Sequence, residues 1–418
     1  MVLAIAASKG WTIRSTDIKS AFLQGEHLER EVFLTPPKES STPQGHIWKL
    51  RRCLYGLNDA ARQFYNSLSK ELVQLGCVKC SLDPALFMVF HGSELAGVLV
   101  SHVDDFLHAG NSYFDDVIMT RLYDRFSAGS KESKTFVYTG YHISQAADSS
   151  IVLDQQVYLD SIDVSKVDAV RMADKQVLLS PQDQSVYRSL VGKLGWLVQG
   201  TRPDLSFFWL EASTKNRSAC MGDLVTLSKT LLNAKLSAGT VFFPSLGDFG
   251  SWKIFVYSDA AYANLCDGTS STGGCIVFLV GDKGSCCPLL WKGCKLRRVC
   301  RSSAAAEGLS LSEAIDEAVY LRIMLCQLIG VEVSHVPLIA FTDNAGLQLN
   351  TSNVLHPKVC DKRLKIEIAH IRQSIACGEV QEIVWCNSKS QLADCLTKKG
   401  ASSVGLMQVL QTGLMPSA

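Results

Sequence analysis

Apolar positions recur along this chain with two periods, and the changes between them mark out its elements. Met1 to Lys9 has helical spacing, and Trp11-Thr-Ile-Arg14 reads as a strand. Helical and strand patterns mix up to about Asn111, and residues 112–180 are more polar, predicting short helices and strands. Tyr187–Trp196 and Leu224–Leu236 carry apolar residues three and four apart, as a helix does. Phe243-Pro-Ser-Leu-Gly-Asp-Phe-Gly250 interrupts the pattern with turn-forming residues and is the best boundary. Beyond it, strands are predicted at Ile254–Ser258, Gly273–Val280 and Pro288–Lys292, followed by a long helix over Ser303–Ile329. A strand at Val336–Thr342, a helix over about Lys358–Cys377, a strand at Val380–Cys386 and a helix from near Lys389 complete the order. That order predicts a mixed sheet with helices on its faces. The chain contains no internal repeat or low-complexity tract.

Composition narrows the class. At roughly 100–200 residues per domain, 418 residues predict two to four units. With 47% hydrophobic and 19% charged residues, a large core can be buried and a disordered chain is excluded. The formal net charge is +1, so any nucleic-acid footprint must be local. Fifteen cysteines are scattered. Only Cys77 and Cys80 are well spaced, with no second pair to complete a zinc site, so they read as reduced thiols. The apolar start, Met1–Ala7, is too short for a membrane span and lacks a signal-peptide layout. The expected setting is intracellular, cytoplasm or nucleus, without a membrane partner.

Two buried-strand patterns end in aspartate, Ile254-Phe-Val-Tyr-Ser-Asp259 and Leu338-Ile-Ala-Phe-Thr-Asp343. Either alone is accounted for by a turn or a helix cap. Glu307 adds weight. It lies one turn before Leu311, on the apolar stripe that continues through Ala314, Ala318, Leu321, Leu325 and Leu328. A carboxylate aimed at a core costs several kcal/mol unless it is paired or holds a cation; a stripe that simply reaches solvent at the helix end is the plain alternative. Asp394 lies near the start of the last helix. Four carboxylates from two strands and two helices suit a pair of magnesium ions, which prefer oxygen ligands and, about 4 Å apart, activate water and stabilise a leaving phosphodiester oxygen.

Around these residues stand Tyr257-Ser-Asp-Ala-Ala-Tyr-Ala263, Ser270-Ser-Thr-Gly-Gly274, Ser303-Ala-Ala-Ala-Glu-Gly308, Thr342-Asp-Asn-Ala345 and Gln391-Leu-Ala-Asp-Cys-Leu-Thr-Lys398. In order, they resemble the RNase H blocks of copia-type retrotransposon Pol polyproteins. The resemblance implies Asp259, Glu307, Asp343 and Asp394 as the catalytic, metal-binding set. The chain departs from the family at Ala261 and Tyr262, where Asp and Trp are usual, and at Lys362-Arg-Leu-Lys365, where the family has Lys-His-Ile-Asp.

The first half extends the resemblance. His102-Val-Asp-Asp-Phe106 lies between apolar stretches and reads as strand, turn, strand. It resembles the family's Tyr-Val-Asp-Asp motif. Ser15-Thr-Asp-Ile-Lys-Ser-Ala-Phe-Leu-Gln-Gly25 and Trp48-Lys-Leu-Arg-Arg-Cys-Leu-Tyr-Gly-Leu57 resemble further reverse transcriptase blocks. Tyr187-Arg-Ser-Leu-Val-Gly-Lys-Leu194 and Thr201-Arg-Pro-Asp-Leu-Ser206 resemble the connecting region. The match implies that Asp17, Asp104 and Asp105 hold two metals for nucleotide addition, and that Phe22 lies beside the sugar and selects deoxynucleotides. The family's fingers normally precede the position of Met1 and are expected to be missing. Asp59, Ala61 and His102 replace the family's Gln, Pro and Tyr. A carboxylate at position 59 would repel an incoming triphosphate.

Lys292, Lys295, Arg297, Arg298 and Arg301 form one basic cluster, and Lys358, Lys362, Arg363 and Lys365 another. Solvated faces explain such runs equally well. Near a carboxylate site they suit the phosphates of a hybrid, which makes Arg297, Arg298, Lys362 and Arg363 candidate substrate contacts. Lys49, Arg51 and Arg52 suit the same role in the first half.

The sequence thus predicts an α/β (α+β) chain. A reverse transcriptase palm remnant is expected over 1–110, a thumb-like and connection region over 111–248, an RNase H-like mixed sheet with flanking helices over 251–400, and a tail over 401–418. The implied function is magnesium-dependent hydrolysis of the RNA strand of RNA–DNA hybrids, with the polymerase half inactive alone. Other retroelement Pol or Gag segments are expected partners. The alternative is a non-catalytic nucleic-acid-binding remnant of a decayed element.

Overall fold

Val2–Lys9, a nearly all-apolar helix, ends at Gly10, whose φ of 68° is the left-handed conformation that suits glycine. The computed structural model describes residues 1–164, 175–237, 239–352 and 359–416. The strands of the first part are β1 (Arg14–Ile18), β2 (Phe33–Leu34), β3 (Trp48–Lys49), β4 (Val78–Lys79), β5 (Leu86–His91), β6 (Glu94–His102), β7 (Asp105–Gly110) and β8 (Ala128–Ser133). Six form one sheet in the order β4-β5-β6-β7-β1-β8, and β2 pairs with β3 apart from it. Alternation along β5 sends Leu86 and Met88 to one face and Phe87 and Val89 to the other. The Phe87 face packs on the Ala60–Gln74 helix and on Phe114 and Ile118. The Leu86 face packs on the Val2–Lys9 helix and on a core shared with the rest of the chain.

The strand predicted from Trp11 begins instead at Arg14. The Ile13 N–H donates to the Gln145 side chain (2.9 Å), and the amide of Gln145 donates to the Trp11 carbonyl (2.9 Å), so a side chain occupies that stretch of backbone.

Strands β9 (Thr135–Tyr138), β10 (Tyr141–Gln145), β11 (Ile151–Asp154) and β12 (Thr240–Phe243) form an antiparallel sheet in the order β12-β11-β10-β9. Between β11 and β12 the helices Pro181–Gly200, Ser206–Thr214 and Met221–Lys235 enclose their own core around Tyr187, Leu194 and Leu231. Ser180 caps the first of them by accepting from the Asp183 N–H, and Pro181 follows at a position where its missing N–H costs nothing.

The last sheet holds β13 (Lys253–Ala261), β14 (Thr272–Val280), β15 (Cys286–Lys295), β16 (Leu338–Thr342) and β17 (Glu382–Trp385), in the order β15-β14-β13-β16-β17. The first three are antiparallel, and β16 and β17 run parallel to β13. The helix predicted over Ser303–Ile329 has those bounds. Ser302 caps its start and Gly330 ends it at a φ of 71°. One side of that helix covers the last sheet, and its far end meets the first sheet's surroundings. The Tyr320 hydroxyl donates to the Leu82 carbonyl (3.0 Å), and Gln327 donates to Ser81 Oγ (2.7 Å).

The helix predicted over about Lys358–Cys377 is described over Lys362–Ala376, with Asp361 as its cap; Lys358 lies outside the described residues. The helix expected from Lys389 is a short 3-10 turn at Ser388–Ser390, with the helix proper at Asp394–Thr397. No helix among the described residues is long and apolar enough to cross a membrane.

Candidate active site

The parallel pairing of β13 and β16 sets two of the carboxylates. Tyr257 and Phe341 are register partners, and their rings stack with centroids 4.4 Å apart. Asp259 and Asp343 lie two residues further along each strand direction, so both side chains emerge on that same face. Gly274 lies opposite Asp259 in the β13–β14 ladder. A Cβ there would lie 2.8 Å from Thr397 Cγ2 and 2.9 Å from Leu396 Cβ, so only glycine lets the Asp394–Thr397 helix approach this closely. Asp394 thereby reaches the other two. One ligand oxygen from each of Asp259, Asp343 and Asp394 lies within 4.8 Å of the others, the only such group of three found among the described residues.

Glu307 approaches from the helix on the opposite face. Ser310, one turn on, donates to the Asp259 carbonyl (2.8 Å) and accepts from Ser258 Oγ (3.1 Å), which locks the helix start to the strand. Glu307 lies outside the close trio but feels it. Burial, followed by the charges of Asp343 and Asp259, pushes its carboxyl up to about 7, against a side-chain hydrogen bond with Asn344. Its Oε2 is buried with no hydrogen-bond partner. Asp259 is 2% exposed, and burial pushes its carboxyl up to about 6 despite Lys398 and Thr397.

Several supporting groups carried no signal in the spacing of apolar residues. The Thr397 hydroxyl donates to Asp259. Lys398 Nζ lies 2.9 Å from Asp259 Oδ1 and 2.8 Å from Asp394 Oδ1. Ser388 Oγ donates to Asp343 Oδ2 (2.8 Å). The buried Gln391 amide donates to the Ser258 carbonyl (3.0 Å), anchoring the loop that leads to Asp394. Arg202 and Asp204 form a bidentate, nearly buried pair at 2.8–2.9 Å, and Arg202 also donates to the carbonyls of Ala234 and Ser237. The 3-10 turn that follows Arg202, Pro203–Leu205, packs on the Asp394–Thr397 helix.

In the first half, β6 and β7 form the expected hairpin. Val103 sits in its turn at a φ of 59°, a strained conformation for a β-branched residue. Asp17 is the register partner of Asp105 across β1 and β7. Burial raises both carboxyls, and Asp104 raises each further. Gly129 on β8 leaves room for Asp17, since a Cβ there would lie 2.5 Å from Asp17 Oδ2. The three aspartates are neighbours, but they do not close into a trio as tight as that of Asp259.

The reverse transcriptase (RNA-dependent DNA polymerase) family model matches residues 1–181. Two curated relatives from Arabidopsis thaliana align over 95% of the chain: the retrovirus-related Pol polyproteins from transposon RE2, 31% identical, and from transposon RE1, 30% identical. Residues 1–181 belong to the reverse transcriptase family, and the chain as a whole is similar to retrotransposon Pol polyproteins. It spans 27% of the length of each of these two Pol relatives. Among solved structures, LC11-RNase H1 in complex with RNA/DNA hybrid is 20% identical and matches 35% of this chain and 94% of that one, with a TM-score of 0.26.

The remaining candidates of this chain take mixed positions. Phe22 is half-buried, its ring 4.6 Å from that of Tyr55. Asp59 forms an ion pair with Arg30 at 2.6 Å, so the carboxylate expected to repel a triphosphate has its own counter-charge. The two basic clusters meet across a small cleft lined by Arg298, Arg301, Asp361 and Arg363. Within it Arg298 pairs with Glu367, while Lys292 pairs with Glu317 (2.8 Å) and Lys295 with Asp267 (3.0 Å). Arg297, Lys362 and Arg363 are exposed and have no ion-pair partner among the described residues.

Proposed function

We propose that this chain is a nuclease of the retroelement Pol type that hydrolyses the RNA strand of RNA–DNA hybrids with magnesium. The carrying observation is the convergence of Asp259, Asp343 and Asp394 within 4.8 Å, beside a buried Glu307 oxygen that lacks a partner. An orphaned carboxylate oxygen next to three carboxylates suits a hard cation that takes oxygen ligands. Asp259, Asp343, Asp394 and Glu307 would hold it. Bound there, magnesium supplies charge neutralisation for the scissile phosphate and a more acidic water.

The chain's own residues prepare the rest. Thr397 and Ser388 orient Asp259 and Asp343, and Ser310 fixes the helix that carries Glu307. Arg297, Lys362 and Arg363 would take phosphates along the duplex, and contacts to the 2′-hydroxyl would select the RNA strand. We read residues 1–110 as the palm remnant, 111–248 as thumb-like and connection region, 251–400 as the RNase H-like unit and 401–418 as a tail. The polymerase half is proposed to be inactive alone, because Asp59, Ala61 and His102 replace the residues usual in the family around its metal-binding aspartates.

Incubating the purified chain with end-labelled hybrid and magnesium tests this reading. Cleavage of the RNA strand, with a DNA duplex left intact, supports it; an intact hybrid contradicts it. One observation favours the second reading, a non-catalytic nucleic-acid-binding remnant: Lys398 already supplies a cation between Asp259 and Asp394. Hybrid binding without cleavage would select that reading.

A further inference from the structure

The carboxylate cluster carries a cation of its own. Lys398 follows the Asp394–Thr397 helix, and its backbone N–H donates to the Asp394 carbonyl (3.1 Å), so its Cα is fixed one turn from Asp394. Its ammonium bridges Asp259 Oδ1 at 2.9 Å and Asp394 Oδ1 at 2.8 Å. The two carboxylates it joins belong to the trio that lies within 4.8 Å. One ammonium does not satisfy the site. Four carboxylates face it, Asp343 takes a hydrogen bond from Ser388, and Glu307 Oε2 takes none.

We propose that Lys398 is a displaceable counter-ion: it holds Asp259 and Asp394 together in the metal-free protein and leaves them when a divalent cation binds. It is a positioning residue that sets the metal concentration at which the site fills. The inference rests on the reading of this cluster as a metal site. A divalent cation and the ammonium cannot both occupy the same two oxygens, since like charges at that separation repel. The divalent ion carries twice the charge and takes more oxygens, so it wins at sufficient concentration. The lysine can yield. Its side chain is 38% exposed and its four-carbon stem is flexible, so the ammonium reaches water by rotation alone. The adjacent Lys399 is directed elsewhere, 3.6 Å from Glu211, and does not take its place.

Competition of this kind is reciprocal linkage, for which couplings of about 5- to 150-fold are typical. The test is magnesium titration of the whole chain by calorimetry, without nucleic acid, on wild type, Lys398→Met and Lys398→Arg. Lys398→Met should bind magnesium about tenfold more tightly or better, whereas Lys398→Arg, which keeps a cation, should not. A second measurement uses wild type alone: acylation of Lys398 by an amine reagent, read by mass spectrometry, should speed up several-fold on adding magnesium. Equal or weaker binding by Lys398→Met overturns the proposal. If that variant does not fold, an acylation rate indifferent to magnesium overturns it, provided wild type binds the ion. If neither wild type nor variant binds magnesium, the metal-site reading itself fails and the exchange falls with it.

Discussion

Gly274 lies in the β13–β14 ladder so close to Thr397 that a Cβ at position 274 would stand 2.8 Å from Thr397 Cγ2. The glycine thus sets how near the Asp394–Thr397 helix comes to Asp259. Gly274→Ala should push that helix outward and cost about 1–3 kcal/mol of stability, as overpacking does. It should lower hybrid cleavage more than hybrid binding, because the displaced group is a carboxylate and not a phosphate contact. Urea denaturation and cleavage rates measured on the same preparation check both parts. Wild-type values in both would contradict the packing account.

The metal-free chain should lose stability as pH rises. Burial holds the Asp259 carboxyl up at about 6 and that of Glu307 up at about 7, both above their unfolded values. Between about pH 4 and about pH 7 the folded state therefore binds more protons than the unfolded one, and stability falls as pH increases. Their contribution is fully present below about pH 4 and is lost through about pH 7, a change on the order of 2–3 kcal/mol per buried carboxylate. Urea midpoints across this range in a chelator should decline, and the decline should be shallower in Glu307→Gln. With magnesium present the fall should shrink, because the ion favours the charged carboxylates. A Glu307→Gln slope equal to that of wild type would contradict the assignment.

The polymerase half should not extend a primer by itself. Asp59, Ala61 and His102 stand where the family usually has Gln, Pro and Tyr, so the metal-binding aspartates keep their places while their surroundings differ. Primer extension with magnesium and deoxynucleotides should give no product above background. Sustained synthesis by the isolated chain would contradict this.

Much of the site was legible because it depends on local order. The stripe from Leu311 to Leu328 predicted the Ser303–Ile329 helix and put Glu307 on its inner face, and two strand patterns ending at Asp259 and Asp343 were readable; that the two strands pair in parallel was not. What the sequence did not show depends on contacts far apart in the chain. Lys398 reaches Asp259 across 139 positions, and Gln145 replaces the ladder at Ile13 across 132. No periodicity records such pairs. The helix expected from Lys389 failed for a local reason: Asn387 accepts from the Lys389 N–H and closes a single 3-10 turn, so the helix proper waits until Asp394. The basic clusters were legible as charge, but not as pairs; Arg298 is spent on Glu367.

The most direct test of the central claim compares wild type with Asp343→Asn on one labelled RNA–DNA hybrid, following cleavage and binding together in magnesium. The substitution keeps the side chain's shape and removes a charge that a cation needs. Cleavage should be abolished while binding stays near wild type or tightens, because the phosphates no longer meet that charge. Wild-type cleavage by Asp343→Asn would contradict it.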